Sequence, residues 1–99
     1  MAAYLIVNLD VKDREAFERY RAGVPAVIEK HGGRYLVRGG DLHPVEGGFG
    51  LKRLVVLEFP SLEAARAFYA SPEYAPLLRL RQESADVDIV LVEGWAPPA

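Results

Sequence analysis

The chain opens with Ala3-Tyr4-Leu5-Ile6-Val7-Asn8-Leu9-Asp10, a segment rich in aliphatic and β-branched residues. This composition predicts a buried β-strand. Side chains alternate between the two faces of a strand, which places Leu5, Val7 and Leu9 on one face and Tyr4 and Ile6 on the other. Both faces are apolar, whereas an antiparallel sheet with one face in water shows polar residues there. The segment therefore predicts a sheet that is buried on both sides.

The rest of the chain supplies three more strands and the helices between them. Apolar runs predict strands over 34–38, 52–59 and 87–93. Asp13, Ser61 and Ser71 are residues that commonly cap helix starts, and Ser71 is followed by a proline in the first helical position. An apolar stripe at helical spacing follows Asp13 and consists of Phe17, Tyr20, Val24, Val27 and Ile28. The second helical region begins at Ser61, with a new start at Ser71.

The order of these elements is β-α-β-β-α-β. With right-handed crossovers, this order predicts an α+β domain of the ferredoxin-like type, a four-stranded antiparallel sheet with its helices on one face. The first and third strands are expected to lie side by side and parallel at the centre of the sheet. The order does not tell which face of the sheet the helices cover.

The later strands repeat the two-faced pattern of the first. In the third strand Val55, Leu57 and Phe59 oppose Leu54 and Val56, and the last strand is apolar on both faces in the same way. One layer of helices can bury only one of the two faces. A second copy of the chain is the simplest cover for the other, and two such sheets packed face to face form a dimeric α–β barrel.

The length and composition of the chain limit the classes of protein to which it could belong. The chain has 99 residues, which predicts a single domain over 1–99 with a loose tail over 95–99. A net charge of −2 makes nucleic acid and anionic membranes poor candidate partners. There is no cysteine, which excludes disulfides and thiolate chemistry, and the N-terminal segment lacks the features of a secretory signal. These features favour a cytoplasmic location.

Several blocks of sequence resemble one known family. They are Ala3 to Asn8, Gly32 to Gly40, Glu58 to Ser61 and Ala64 to Tyr74. Together they resemble the bacterial family numbered thirteen-thirty among the domains of unknown function, within the dimeric α–β barrel superfamily. The resemblance spans nearly the whole chain and implies the fold and a homodimer. The superfamily includes cofactor-independent monooxygenases, lactone isomerases, haem-binding enzymes and stress-induced proteins, and fold alone does not choose among them.

Asn8 and Glu58 are the polar residues that interrupt apolar strands. On the expectation that their strands are parallel, both lie near carboxyl ends and on the face of Ile6 and Val56, which we assign to the barrel interior. A partly desolvated carboxylate at Glu58 could act as a general base. The alternative is a structural hydrogen-bond network, or strand ends that reach water.

Arg38, after the second strand, could clamp the carboxylate of a small ligand, because a guanidinium fork suits that task. The alternative is an ion pair with Glu58, with Glu93 or across the dimer interface. Arg81 allows the same two interpretations, with structure favoured. Tyr20, Tyr69 and Tyr74 could line a pocket with their hydroxyls available to a ligand, although such tyrosines are more often core residues.

His43 lies beside Asp41 and Glu46 in the glycine-rich loop Gly39–Gly50. These groups lack the spacing of a metal site, and a solvated loop is the simpler interpretation. The Gly-Gly pairs match no phosphate-binding pattern. Neither histidine falls on the predicted interior face, so haem ranks low. The sequence therefore predicts no metal and no organic cofactor.

Two functional hypotheses remain open from the sequence. In the first, the barrel binds a small organic molecule, and could be a cofactor-independent enzyme, with Asn8, Arg38, Glu58 and the tyrosines at the polar end of an apolar pocket. In the second, the domain is a non-catalytic dimeric structural or interaction module. Its barrel is then filled by large side chains that pack across the dimer: Tyr4, Ile6, Leu54 and Val56.

Overall fold

The computed structural model describes residues 1–98 and has the predicted order of elements, with the second helical region divided in two. The elements are β1 (Ala3–Val11), α1 (Arg14–Lys30), β2 (Arg34–Arg38), β3 (Leu54–Phe59), α2 (Leu62–Ala70), α3 (Ala75–Ser84) and β4 (Ala85–Glu93). Residues 95–98 of the predicted loose tail are exposed and belong to no helix or strand, and Ala99 lies outside the described residues.

The four strands form one antiparallel sheet in the order β2-β3-β1-β4, which confirms the ferredoxin-like prediction. The expected parallel pairing of β1 and β3 is wrong, because these strands are antiparallel. The crossover through α1 brings β2 parallel to β1, and the connection from β2 to its antiparallel neighbour β3 reverses direction once more. Tyr4 consequently pairs with Glu58, and Asn8 pairs with Leu54. Asn8 and Glu58 therefore lie at opposite ends of the β1–β3 ladder.

The helices cover one face of the sheet, here called the core face. Leu5, Val7 and Leu9 of β1 and Leu57 and Phe59 of β3 are buried there under the helices. This settles which face the helices cover. Phe59 is fully buried, and its ring centroid lies 5.2 Å from that of Phe68 on α2.

Side-chain caps fix two of the helix starts as the sequence predicts. Asp13 accepts a hydrogen bond from the backbone of Ala16, and Ser61 accepts one from Ala64. The predicted start at Ser71 is displaced, since α3 begins at Ala75. Ser71 instead forms the corner between α2 and α3. Its hydroxyl donates to the Phe68 carbonyl at 2.8 Å and accepts from the Tyr74 backbone at 3.2 Å.

The other face of the sheet, here called the open face, carries no helix among residues 1–98. Its residues include Tyr4, Ile6, Asn8 and Asp10 of β1, Arg34 and Val37 of β2, Leu54, Val56 and Glu58 of β3, and Asp86, Asp88, Val90 and Val92 of β4. Val90 is 57% exposed and Val92 46% exposed, although both are apolar. The molecule is only 16 Å deep in its shortest dimension, as a two-layer structure should be. Within the described residues, no helix has the length and apolar character needed to span a membrane.

Candidate functional site

A small cavity of ≈ 50 Å³ lies between the helices and the core face of the sheet. Its floor is apolar and includes Leu5, Val7 and Ile89. Its polar groups come from two residue types only, tyrosine and arginine. They are Tyr20, Tyr35, Tyr69 and Tyr74 together with Arg21, Arg38, Arg53 and Arg81.

A chain of hydrogen bonds crosses the roof of the cavity. The hydroxyls of Tyr20 on α1 and Tyr74 at the start of α3 are 2.9 Å apart. Arg81, two turns further along α3, donates from Nη1 to the Tyr74 hydroxyl at 3.2 Å. Arg81 is only 6% exposed, and its buried Nε has no hydrogen-bond partner among residues 1–98. One buried donor of a charged group is therefore left unused.

The protonation states of these groups follow from their surroundings. Burial raises the pKa of both Tyr20 and Tyr74 above the ordinary value, so both stay neutral phenols at physiological pH. Burial alone would lower the pKa of Arg81. The neighbouring tyrosine oxygens outweigh it, so the pKa of Arg81 lies above its ordinary value and the guanidinium stays charged. The cavity thus offers neutral hydroxyls and a cation, not a phenolate base.

The electrostatic balance of the cavity is one-sided. Four arginines line it, and no aspartate, glutamate or histidine from the described part of the chain does. The guanidinium of Arg38 lies 4.5 Å from the ring centroid of Tyr35 and donates to the Arg21 carbonyl at 3.3 Å. That of Arg53 lies 5.7 Å from the ring centroid of Phe17, and its Nε is also buried without a partner in residues 1–98. The arrangement suits an anion.

The structure brings together Arg38, Tyr20, Tyr69 and Tyr74 of the predicted site residues. A bulge between Tyr35 and Val37 explains the place of Arg38. Residues four apart in a regular strand share a face, yet Arg34 pairs with Glu58 on the open face, whereas Arg38 pairs with Val55 on the core face. The bulge thus turns Arg38 into the cavity.

Asn8 and Glu58 are not part of this cavity. The Glu58 carboxylate accepts from Arg34 Nε at 2.7 Å, so its ion-pair partner is Arg34 and not Arg38. Asn8 accepts from the backbone of Lys52 at 2.8 Å, which ties the start of β3 to β1. His43 is exposed in its loop, and no three histidine, aspartate or glutamate side chains in residues 1–98 cluster as a metal site. A catalytic role for Glu58 and a ligand-binding role for Asn8 stay predictions.

Sequence reasoning missed Arg53 and Arg21, which lie next to a strand and on a helix with no motif around them. Gly39 is the residue in the sequence that relates to the position of Arg53, although only the structure shows this. Its φ is +73°, and a Cβ placed there would lie 2.9 Å from both Cζ and Nε of Arg53. The missing side chain is what lets the guanidinium pack against the backbone.

Gly39→Ala is therefore expected to lower the free energy of unfolding by about 1–2 kcal/mol, because alanine is strained at positive φ and must also push Arg53 away. Urea denaturation measures this. Gly40→Ala is the matched control, since its φ is not positive and no described atom lies within 4 Å of the added Cβ. Equal stabilities of the two variants would contradict the packing of Arg53 on Gly39.

The antiparallel sheet, its helical layer and the cavity between them define a ferredoxin-like α+β protein, and solved structures support this class. A protein of unknown function from Rhodopseudomonas palustris has a TM-score of 0.77 at 18% identity, covering 97% of this chain and 84% of its own. A dimeric ferredoxin-like protein of unknown function from Jannaschia has a TM-score of 0.65 at 16% identity. The match covers 95% of this chain and 100% of that protein. SnoaB, a cofactor-independent oxygenase from Streptomyces nogalater, has a TM-score of 0.62 at 14% identity. The match covers 97% of this chain and 95% of SnoaB.

The family follows from the sequence itself. The profile of the family described as domain of unknown function (DUF1330) matches residues 2–95, and the chain belongs to that family. This confirms the resemblance seen in the sequence. None of the curated proteins compared with the chain matches it.

Proposed function

We propose that the protein is a homodimer whose subunits each bind a small anionic organic molecule in the cavity between the helices and the sheet. The observation that carries this proposal is Arg81, a charged residue that is 6% exposed and has an unused buried donor. Its neighbours are phenol hydroxyls, which orient a ligand but do not neutralise a charge. An anion would supply the missing partner.

Energetics favour a ligand role for Arg81 over a structural one. A buried charge costs several kcal/mol in desolvation, and an acidic partner normally offsets this cost. Within the described residues, Arg81 forms no salt bridge, and its guanidinium contacts phenol groups, donating to the Tyr74 hydroxyl and lying near Tyr69. Proteins retain such groups at the expense of stability when binding needs them.

The homodimer is proposed from the open face. Its aliphatic residues include Ile6, Leu54, Val56, Val90 and Val92, and a monomer would leave them open to water. A second copy offers the same apolar surface, as a twofold interface requires. The Jannaschia protein of this fold is described as dimeric, which supports a homodimer here. A cytoplasmic location stays a prediction.

Arg81→Met tests the binding proposal. Methionine keeps much of the apolar bulk and removes the charge, so we expect the midpoint of urea denaturation to stay equal or rise. We also expect any small molecule that copurifies with the wild-type dimer to be absent from the variant. Native mass spectrometry of protein purified without added ligand measures the second effect directly.

Arg79→Met is the matched control, because Arg79 is an exposed arginine on the same helix. It should leave both the stability and the bound mass unchanged. A strong loss of stability in Arg81→Met, with Arg79→Met neutral, would show that Arg81 is a structural residue and would contradict the proposed site.

A cofactor-independent enzyme is the second candidate. SnoaB, which shares the fold, is described as such an oxygenase. The observation that favours it here is the grouping of two phenol hydroxyls and a guanidinium at one point, since such donors stabilise an oxyanion that develops on a bound substrate. The cavity lining holds no carboxylate or imidazole within residues 1–98, so the chemistry supported is oxyanion stabilisation rather than proton removal by a general base.

The alternative is a non-catalytic dimeric structural or interaction module. The cavity size favours it, because ≈ 50 Å³ holds a few waters and is far below the roughly 300–1,000 Å³ of typical ligand sites. A clean dimer without bound mass, combined with lower stability of Arg81→Met, would favour this alternative. Small-molecule binding therefore requires that the cavity enlarge.

A further inference from the structure

A second space adjoins the cavity and differs from it in size. A groove of ≈ 360 Å³ runs along the edge of α2 and the sheet. It is lined by Leu5, Ala65, Arg66, Tyr69, Ile89 and Leu91. Three of these residues, Leu5, Tyr69 and Ile89, also line the cavity at Arg81. Leu5 and Ile89 belong to the sheet, and Tyr69 is the shared lining residue that belongs to the helical layer.

Tyr69 is held by contacts that an arriving anion would compete for. Tyr69 lies in the last turn of α2 and is 39% exposed. Its ring centroid lies 5.6 Å from that of Tyr74, and the Arg81 guanidinium lies 6.0 Å from the Tyr69 ring. A cation–π contact of this length is weak, whereas a charge-assisted hydrogen bond to the same guanidinium is strong. An anion at Arg81 therefore favours release of the Tyr69 ring.

We infer that Tyr69 is a movable partition, and that the cavity and the groove together form one site for an amphipathic carboxylate. The carboxylate binds at Arg81 beside the Tyr74 hydroxyl, and an unbranched apolar body lies in the groove. This assignment deepens the proposed anion binding at Arg81 and depends on it. With the ring displaced, the joined space falls in the range of roughly 300–1,000 Å³ that ligand sites occupy.

The groove lining specifies the apolar body. Leu5, Ala65, Ile89 and Leu91 present hydrocarbon, and the one charged side chain of the lining is Arg66, exposed on α2. A positive charge at the rim of the groove and another at its inner end disfavour a cation at either place. A short hydrophilic anion would leave the groove empty. The chemistry thus fits a carboxylate with a hydrocarbon chain of several carbons.

Isothermal titration calorimetry with butanoate, hexanoate and octanoate at neutral pH tests this assignment. Each methylene that enters the groove should raise the affinity roughly fourfold, the value that full burial of one methylene gives. Octan-1-ol has the same chain without the charge and should bind at least about tenfold more weakly than octanoate. Arg81→Met should abolish the difference between octanoate and octan-1-ol.

Two variants separate the groove from the anion position. Leu91→Trp fills the groove at a residue that does not line the cavity, so octanoate should bind at least about tenfold more weakly, with butanoate unchanged. Tyr69→Ala removes the partition, and octanoate should bind at least as tightly as to the wild type. Ala67→Trp, exposed on α2 and outside both spaces, is the control for added bulk.

The outcomes distinguish the two levels of the proposal. If the carboxylates bind through Arg81 but chain length and Leu91→Trp have no effect, the groove assignment is overturned and the anion site stands. A tenfold loss of octanoate affinity in Tyr69→Ala would make Tyr69 a fixed wall and overturn the partition. If none of the three carboxylates binds to the folded wild-type dimer, both the groove and the proposed anion site are overturned.

Discussion

Val56→Lys is expected to convert the proposed dimer into a folded monomer. Val56 lies on the open face in β3, one of the two central strands, where it pairs with Ile6 of β1 on one side and with Val37 of β2 on the other. In a dimer formed through this face, the lysine of each copy would be buried against an apolar surface. An uncompensated buried charge costs several kcal/mol, and each dimer would contain two of them.

The expected effect is an increase of the dimer dissociation constant by about 1,000-fold or more, since about 1.4 kcal/mol corresponds to a factor of ten. Analytical ultracentrifugation over a range of protein concentrations measures it. In the monomer the lysine meets water on a β-strand, so circular dichroism should show an unchanged fold.

Ala67→Lys is the control for added charge, because Ala67 is exposed on α2, on the opposite side of the sheet from the open face. It should remain dimeric. If Val56→Lys were also dimeric at micromolar concentration, the dimer would be formed through another surface. A wild-type protein that is monomeric at such concentrations would contradict the dimer itself.

The sequence predicted what alternation and local signals determine. The two apolar faces of β1 and the caps at Asp13 and Ser61 are consequences of nearby residues, and the structure confirms them. The parallel pairing of β1 and β3 is wrong because β2 runs parallel to β1 after the α1 crossover, and the connection to the adjacent β3 reverses the direction. Because β3 is antiparallel to β1, Asn8 and Glu58 lie at opposite ends of the β1–β3 ladder and not at one shared end as predicted.

In the candidate site, too, some features could be predicted from the sequence and others depend on how the chain packs. The three predicted tyrosines and Arg38 meet in the cavity, yet Arg38 arrives there through a bulge that no composition signal announced. For Arg81 the sequence favoured a structural ion pair over a ligand role, because nothing in the sequence shows which groups surround it. Its burial depends on how α3 packs, which follows from the corner at Ser71 and from Tyr74 beneath α2.

Phe59→Ala is expected to lower the free energy of unfolding by about 3–5 kcal/mol, the cost of removing a fully enclosed phenylalanine ring. Phe59 is 0% exposed at the end of β3, and its ring packs on Phe68 of α2. A Cβ placed at Gly33 would lie 2.6 Å from Phe59 Cε1, which shows how closely the backbone between α1 and β2 approaches the ring. Backbone packed this way cannot readily collapse into the space left by alanine, so most of the cavity cost should persist.

Phe49→Ala is the matched control, since it makes the same substitution at a loop residue that is 88% exposed, where a change within about 0.5 kcal/mol is expected. Urea denaturation of both variants measures the difference, at one fixed protein concentration because the proposed dimerisation would contribute to stability. The expected loss is a substantial share of a typical domain stability of about 5–15 kcal/mol. Equal midpoints for the two variants would mean that the ring of Phe59 is not enclosed between the sheet and α2, and with it the cavity built on the same core face would lose its support.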